Sequence, residues 1–351
     1  MSSESTAGGI YAPLAGMLEA GEKAVLARTL SLRGSGPRRP GAALLLTAAG
    51  EVRGTVGGGA LEKSVLEEAG RVLREGKTRV VRREADPAGE EGCGGAAEVF
   101  LEPLDPKDEE LLRLLRARED LVRRGQAGLL ATSIVEGIAR PPRFLIGPGG
   151  SLPAGDEPPA GLREALAARL PLGAPRLETF VAKAGDAWLL FLEPVAPPPL
   201  LILLGAGHIA AALAPLARRL GFRVWVAAAR PGVADPGRFP DAERVRAGPA
   251  ELLAELSPGE RPYVVIAGPT HEADRDSLRA ALQTDAAFIG MVGSRRKREA
   301  VFQALRGGGI AAAPLERVRC PVGLPIGAET PEEIAVSIAA ELLRERSRRR
   351  A

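Results

Sequence analysis

One phrase occurs twice in the chain: Phe100-Leu-Glu-Pro-Leu104 returns as Phe191-Leu-Glu-Pro-Val195. What precedes each copy also corresponds. Gly21-Glu-Lys-Ala-Val-Leu-Ala27 matches Gly125-Gln-Ala-Gly-Leu-Leu-Ala131, and Arg39-Pro40 matches Arg140-Pro141, each followed by an apolar stretch and a glycine turn. Gly54 stands seven residues before Leu61, and Gly155 stands seven before Leu162. Common order at similar spacing points to an internal duplication, which restricts the N-terminal half to two units of one design.

Within the first copy, a loose start leads to a strand over 24–32 and a continuously apolar, buried strand over 42–47. Leu61, Val65, Leu66, Ala69 and Val72 recur at helical spacing and predict a helix over 61–73. Strands over 78–83 and 99–104 close the copy, and a charged amphipathic helix over 108–124 joins the two halves.

The copies share their apolar strands and FLEP endings, as scaffold should, so features peculiar to the first are the better functional candidates. In the first copy Gly57-Gly58-Gly59 runs into the helix, where the second has Pro158-Pro159-Ala160. Glycines opening a helix leave backbone amides aimed at one spot, where the helix dipole favours an anion. Arg38 and Arg39, on the loop GSGPRRPG, could close on the same anion with bidentate hydrogen bonds. The plain alternative is that these glycines only serve tight turns. Glu62 is replaced by Arg163 in the second copy, which also lacks the Cys93-Gly94-Gly95 triplet. Cys93, flanked by glycines, suits a soft metal ligand, a nucleophile or a sulfur carrier. A buried bystander thiol is the competing reading.

The stretch 200–217 is almost wholly apolar, yet it contains Gly205, Gly207, His208 and Pro215. It therefore reads as strand, turn and helix rather than as a membrane span. Ala196-Pro-Pro-Pro199 before it is a stiff linker. Further strands over 223–228, 264–268 and 288–292 complete a Rossmann-like pattern, in which Gly-x-Gly-x-x-Ala between strand and helix is a dinucleotide signal. The acid that would hold a ribose hydroxyl is missing, because the second strand ends Ala227-Ala228-Ala229-Arg230. Arg230 could meet a 2′-phosphate instead, or the nucleotide site could be vestigial. His208 and His271, the only histidines, fall at carboxyl ends of strands, where open α/β sheets bind ligands. Carboxylates of Glu272 and Asp274 could orient His271 as an acid–base group; loop hydrogen bonding is the plain alternative. Ser294 reads as an N-cap, with Arg295 behind it either at a second anion site or simply exposed. Thr330-Pro331-Glu332-Glu333 is a capping box, and Cys320 reads as a passive thiol.

The fold class is thus α/β: an N-terminal α+β domain with an internal duplication, followed by a Rossmann-like parallel-sheet domain. The expected boundaries are 1–105 for the first repeat, 106–195 for the second, and 196–351 for the Rossmann-like domain. A net charge of +3 with 44 acidic residues interspersed, and only 3% aromatics, argues against a nucleic-acid partner. Two cysteines suit a reducing compartment, and no export signal or membrane span is read, so a cytoplasmic protein is expected.

Taken together, the motifs resemble the xanthine dehydrogenase accessory protein family (XdhC/CoxI). The resemblance rests on GSGPRRPG at 34–41, GTVGGGALE at 54–62, CGG at 93–95, FLEPL at 100–104 and LLGAGHIA at 203–210. It continues in RFPDAE at 238–243, TH at 270–271, GMVGSRRKRE at 290–299 and PVGLPIGAETPEEIAVSIAAEL at 321–342. The family usually has acidic residues where this chain has Ala228 and Ala229, and Cys320 is not expected at its position. The resemblance implies binding of the molybdenum cofactor, a phosphorylated pterin dithiolene. It further implies sulfuration of that cofactor with a cysteine desulfurase, and delivery to a xanthine dehydrogenase-type molybdenum hydroxylase. On this reading the pterin phosphate rests on Gly57–Gly59 with Arg38 or Arg39 near it, and Cys93 faces the molybdenum or its sulfur. The alternatives are an NAD(P)-dependent oxidoreductase using His208 or His271, and a scaffold whose clefts stay empty. Homodimerisation is expected if two tethered clefts need a partner to close them.

Overall fold

A computed structural model describes residues 7–34, 40–83, 95–182, 185–228, 235–257 and 259–350. The chain divides into two compact units, Met1–Pro197 and Pro198–Ala351.

The first unit opens with α1 (Ala7–Glu19), followed by β1 (Ala24–Gly34), β2 (Ala43–Thr47), β3 (Val52–Gly54), α2 (Gly59–Glu75), β4 (Arg79–Arg83) and β5 (Gly95–Leu104). The same succession then repeats as α3 (Glu109–Arg123), β6 (Gly128–Ser133), β7 (Arg143–Ile146), β8 (Ala154–Gly155), α4 (Leu162–Ala167), β9 (Arg176–Val181) and β10 (Ala187–Val195). Each copy forms an antiparallel five-stranded sheet, ordered β3-β2-β1-β5-β4 in one and β8-β7-β6-β10-β9 in the other. The duplication read from sequence is therefore a duplication of topology. It extends to single atoms: a Cβ on Gly54 would lie 2.4 Å from the Ala43 carbonyl oxygen, and one on Gly155 would lie 2.4 Å from that of Arg143. Both glycines have positive φ, so the tight exit from the third strand requires glycine in each copy.

The loose start expected before residue 24 is instead the helix α1. Ile10, Tyr11, Leu14 and Leu18 lie on one buried stripe at helical spacing, and their burial outweighs the glycines and Pro13 that hide the pattern. Helices α1 and α3 share a core with residues from both sheets, including Leu26, Leu45, Leu130 and Leu145. Helix α2 covers the other face of the first sheet through Val65, Ala69 and Val72, and α4 covers that of the second through Leu162 and Leu166.

The sheets meet at a buried ionic centre. Register pairs Arg28 with Phe100 in one copy and Thr132 with Phe191 in the other, so Arg28 and Thr132 are equivalent positions. Arg28, 1% exposed, donates to Thr132 Oγ1 at 3.1 Å and to Glu193 Oε2 at 2.6 Å, and pairs with Glu102. The two carboxylates are the glutamates of the repeated FLEP phrase. Arg143 Nε meets Glu102 at 2.5 Å, and Tyr11 donates its hydroxyl to Glu193 at 2.9 Å. Every member is deeply buried, where charges persist only when paired.

The second unit runs β11 (Leu200–Leu204), α5 (His208–Arg219), β12 (Arg223–Ala228), β13 (Arg244–Ala247), α6 (Pro249–Ala254), β14 (Tyr263–Ile266), α7 (His271–Leu282), β15 (Phe288–Met291), α8 (Arg295–Gly307), α9 (Ala312–Glu316), β16 (Val318–Arg319) and α10 (Pro331–Arg350). Its six strands are parallel, in the order β13-β12-β11-β14-β15-β16. Leu201 and Leu203 pack with α5 and α10 on one face, while Ile202 and Leu204 pack with α6 to α9 on the other. This is the doubly wound, Rossmann-like arrangement, with its switch point between β11 and β14. Among the described residues no helix is long and apolar enough to cross a membrane.

Candidate functional site

In the first unit the described sequence candidates, Gly57, Gly58, Gly59 and Glu62, lie at the start of α2. Gly57, Gly58 and Gly59 all have positive φ, which only glycine adopts without strain, so the chain enters the helix directly from the turn. Glu62 folds back over this turn. Its Oε2 accepts the Gly58 amide at 3.3 Å and the Thr55 hydroxyl, while Thr55 Oγ1 accepts the Gly57 amide at 3.2 Å. The chain's own carboxylate thus takes one of the amides expected for a ligand. Among the described residues, the amides of Gly59, Ala60 and Leu61 have no acceptor, so the seat for an outside anion lies one step into the helix.

The second copy lacks this arrangement. Helix α4 has six residues and starts from Gly161, and the Arg163 side chain is tied to the Gly150 carbonyl at 2.8 Å. Arg38, Arg39, Cys93 and Gly94 lie outside the described residues. The described residues flanking those stretches are neighbours, since Gly34 and Gly95 are ladder partners. Gly54, opposite Leu44, leads into the glycine turn from the end of the sheet where Ala43 pairs with Arg28. Among the described residues no group of three or more potential metal ligands occurs.

In the second unit, a cleft of about 330 Å³ opens at the switch point, lined by the β11–α5 turn, Ala228, Arg238, Pro249, the β14–α7 loop and Ser277. Gly205 has φ +136°, and a Cβ there would stand 2.1 Å from the Ala267 carbonyl oxygen, so the first glycine permits the close approach of the two loops. Gly207, the N-cap of α5, has open space where its Cβ would point. The two glycines have the division of labour expected of a phosphate-binding turn. His208 is the first residue of α5 and lines the cleft.

His271 is separate from this set. It starts α7, is exposed, and is not among the cleft-lining residues. The expectation that Asp274 orients it is corrected by the structure. Asp274 is fully buried, accepts the Gly268 amide at 2.7 Å and pairs with Lys297. Lys297 in turn donates to the Val292 carbonyl at 3.2 Å, so this ion pair fastens α7 and α8 to the loops beside the cleft. Ser294 caps α8 by accepting the Lys297 amide at 3.2 Å, while Arg295 is exposed. Arg230 lies outside the described residues.

Sequence reasoning gave Asp274 a different role and did not single out Lys297, Arg238 or Ser277. A signal existed for the inward placement of Asp274 and Ser277: with Leu278 and Ala281 they form the buried stripe of α7, so helical periodicity alone turns them inward. The half-buried Cys320 thiol donates to the Gly293 carbonyl at 3.8 Å. Burial pushes its pKa up against the pull of Arg298 and Lys297, which keeps the thiol protonated.

Comparison with known proteins agrees with both halves. The chain is 28% identical over 348 residues to a Bacillus subtilis protein described as a probable subunit of xanthine dehydrogenase, covering 97% of this chain and 98% of that one. An uncharacterised Escherichia coli protein, YqeB, is 28% identical over 327 residues, which is 91% of this chain but 42% of the relative. A solved structure described as a xanthine dehydrogenase from Bacillus halodurans matches with a TM-score of 0.77 at 26% identity, over 95% of each chain. Residues 17–83 match the XdhC and CoxI family, and residues 201–342 match the XdhC Rossmann domain. With its glycine turn inside the first match and its switch-point cleft inside the second, the chain belongs to the XdhC and CoxI family.

Proposed function

We propose that this protein is a maturation factor that binds the molybdenum cofactor, supports its sulfuration, and delivers it to a xanthine dehydrogenase-type molybdenum hydroxylase. Family membership and the xanthine dehydrogenase named in its relatives support this reading. The observation that carries the reading is the asymmetry between the copies. Two units of one topology differ where α2 begins: one has an exposed glycine turn, and the other a short helix with its arginine tied back.

The residues present suit such a group. The amides of Gly59, Ala60 and Leu61 would take the terminal phosphate, where the helix dipole also favours it. Glu62 has one oxygen turned to Thr55 and Gly58, and its other oxygen would accept from pterin N–H donors. Arg38 and Arg39 would add positive charge, and Cys93 would supply a thiol for metal or sulfur. When bound, the cofactor supplies the redox-active molybdenum centre that the hydroxylase uses. The chain's part is to hold and shield it. A cysteine desulfurase would be the sulfur donor's enzyme, and a homodimer in the cytoplasm the working form.

The alternative reading, an NAD(P)-dependent oxidoreductase, retains His208 in the cleft but not His271. That leaves one histidine there for acid–base work.

The test is reconstitution. Cofactor-free hydroxylase is mixed anaerobically with cofactor-loaded protein, a cysteine desulfurase and cysteine, and hydroxylase activity is followed. Activity should require both the loaded protein and the desulfurase. Equal activation by free cofactor without this chain would refute the reading.

A further inference from the structure

We infer that the C-terminal cleft is a site for a dinucleotide bearing a 2′-phosphate, selected by Arg238 and anchored by Ser277. Three observations carry this. The β11–α5 turn has the phosphate geometry described above, and Gly207 leaves open space at the start of a twelve-residue helix. Ser277 is 3% exposed and lines the cleft, and its hydroxyl has no hydrogen-bond partner among the described residues. Its hydroxyl is therefore free to donate to or accept from a ligand atom in the cleft, although the rest of the residue is packed away. The third observation is one of charge. In a doubly wound sheet the adenosine ribose lies over the end of the second strand, where a carboxylate selects a free 2′-hydroxyl and an arginine accommodates a phosphate. Here that strand ends at Ala228. Arg238 lines the same cleft from a short 3₁₀ turn, 236–238, which Asp235 caps through the Gly237 amide at 2.8 Å. Among the described cleft-lining residues there is no carboxylate, and Arg238 has no acidic partner. A guanidinium in no ion pair, in a cleft whose described lining residues include no carboxylate, favours the phosphorylated nucleotide over the unphosphorylated one.

The inference is independent of the cofactor seat on α2, and its readout is binding alone. NADPH and NADH are titrated into the full-length protein by fluorescence and calorimetry. NADPH should saturate, at least about tenfold tighter than NADH, as one charge-assisted hydrogen bond would give. Arg238→Gln should remove that preference by weakening NADPH and leaving NADH unchanged. Ser277→Ala should weaken both by about three- to tenfold, the worth of a neutral hydrogen bond. Gly207→Ala, whose added methyl meets nothing in the protein, should keep the fold and lose both ligands. Saturation by neither dinucleotide, equal or tighter binding of NADH, or a preference that survives Arg238→Gln would each overturn the proposal.

Discussion

Arg28 is the side chain on which the two N-terminal copies converge, because it faces the FLEP glutamate of each. Removing it leaves Glu193 with no paired cation among the described residues and Glu102 with Arg143 alone, and breaking such a buried pair costs about 3–5 kcal/mol. Arg28→Met should therefore lower the unfolding free energy from urea titration by that amount, whereas Arg295→Ala on the surface should leave it unchanged. The same centre sets an acid limit. Burial alone would raise the pKa of Glu102, but Arg143 and Arg28 beside it outweigh burial and hold it below its ordinary value of 4.5. The stability it contributes is therefore complete above pH 4.5 and is lost as pH falls through the lower folded value. Urea midpoints should be level from neutral pH down to that point and fall below it. Glu102→Gln should start less stable and lose less on acidification; an acid slope identical to wild type would contradict this. Cys320 offers a simpler check. In Cys93→Ala the remaining thiol should react slowly with a disulfide reagent at neutral pH and faster only in alkali, since burial holds it protonated.

At the scale of elements, the glycines separate folding from binding. Gly205→Ala forces a methyl against the Ala267 carbonyl at positive φ, and strain plus overpacking should cost about 2–4 kcal/mol. Thermal unfolding of Gly205→Ala and Gly207→Ala checks the contrast, and equal stability of the two would refute the assigned roles. The strands were legible because their apolar runs are short and bounded, as in Leu200–Leu204, which is buried throughout. Helix α1 was not, because Gly8, Gly9, Pro13 and Gly16 mask a buried stripe that only packing against β2 and α3 reveals. The glycine turn was legible as unusual backbone, but Glu62's return to it is a side-chain matter that spacing does not specify. The FLEP glutamates read as scaffold, and their charge partner was hidden because Arg28 in one copy corresponds to Thr132 in the other.

At the scale of the whole molecule, each unit has its own buried clusters: Leu201, Leu213, Phe222 and Ile338 are among the core of the second, and Leu26, Leu45, Leu114 and Leu130 among that of the first. Residues 198–351 expressed alone should therefore unfold cooperatively, and a non-cooperative melt would argue otherwise. The division of labour proposed for the chain places the molybdenum cofactor on the first copy of the first unit. The direct measurement is pterin and molybdenum content after anaerobic production in a host that makes the cofactor. It compares wild type with Cys93→Ala, Arg39→Ala and Glu62→Gln, and with Arg163→Ala as the second-copy counterpart of the Glu62 change. Near-stoichiometric cofactor in wild type and Arg163→Ala, with strong loss in the three first-copy variants, is the expected result. Cofactor retained equally in all five proteins, or absent from wild type, would contradict it.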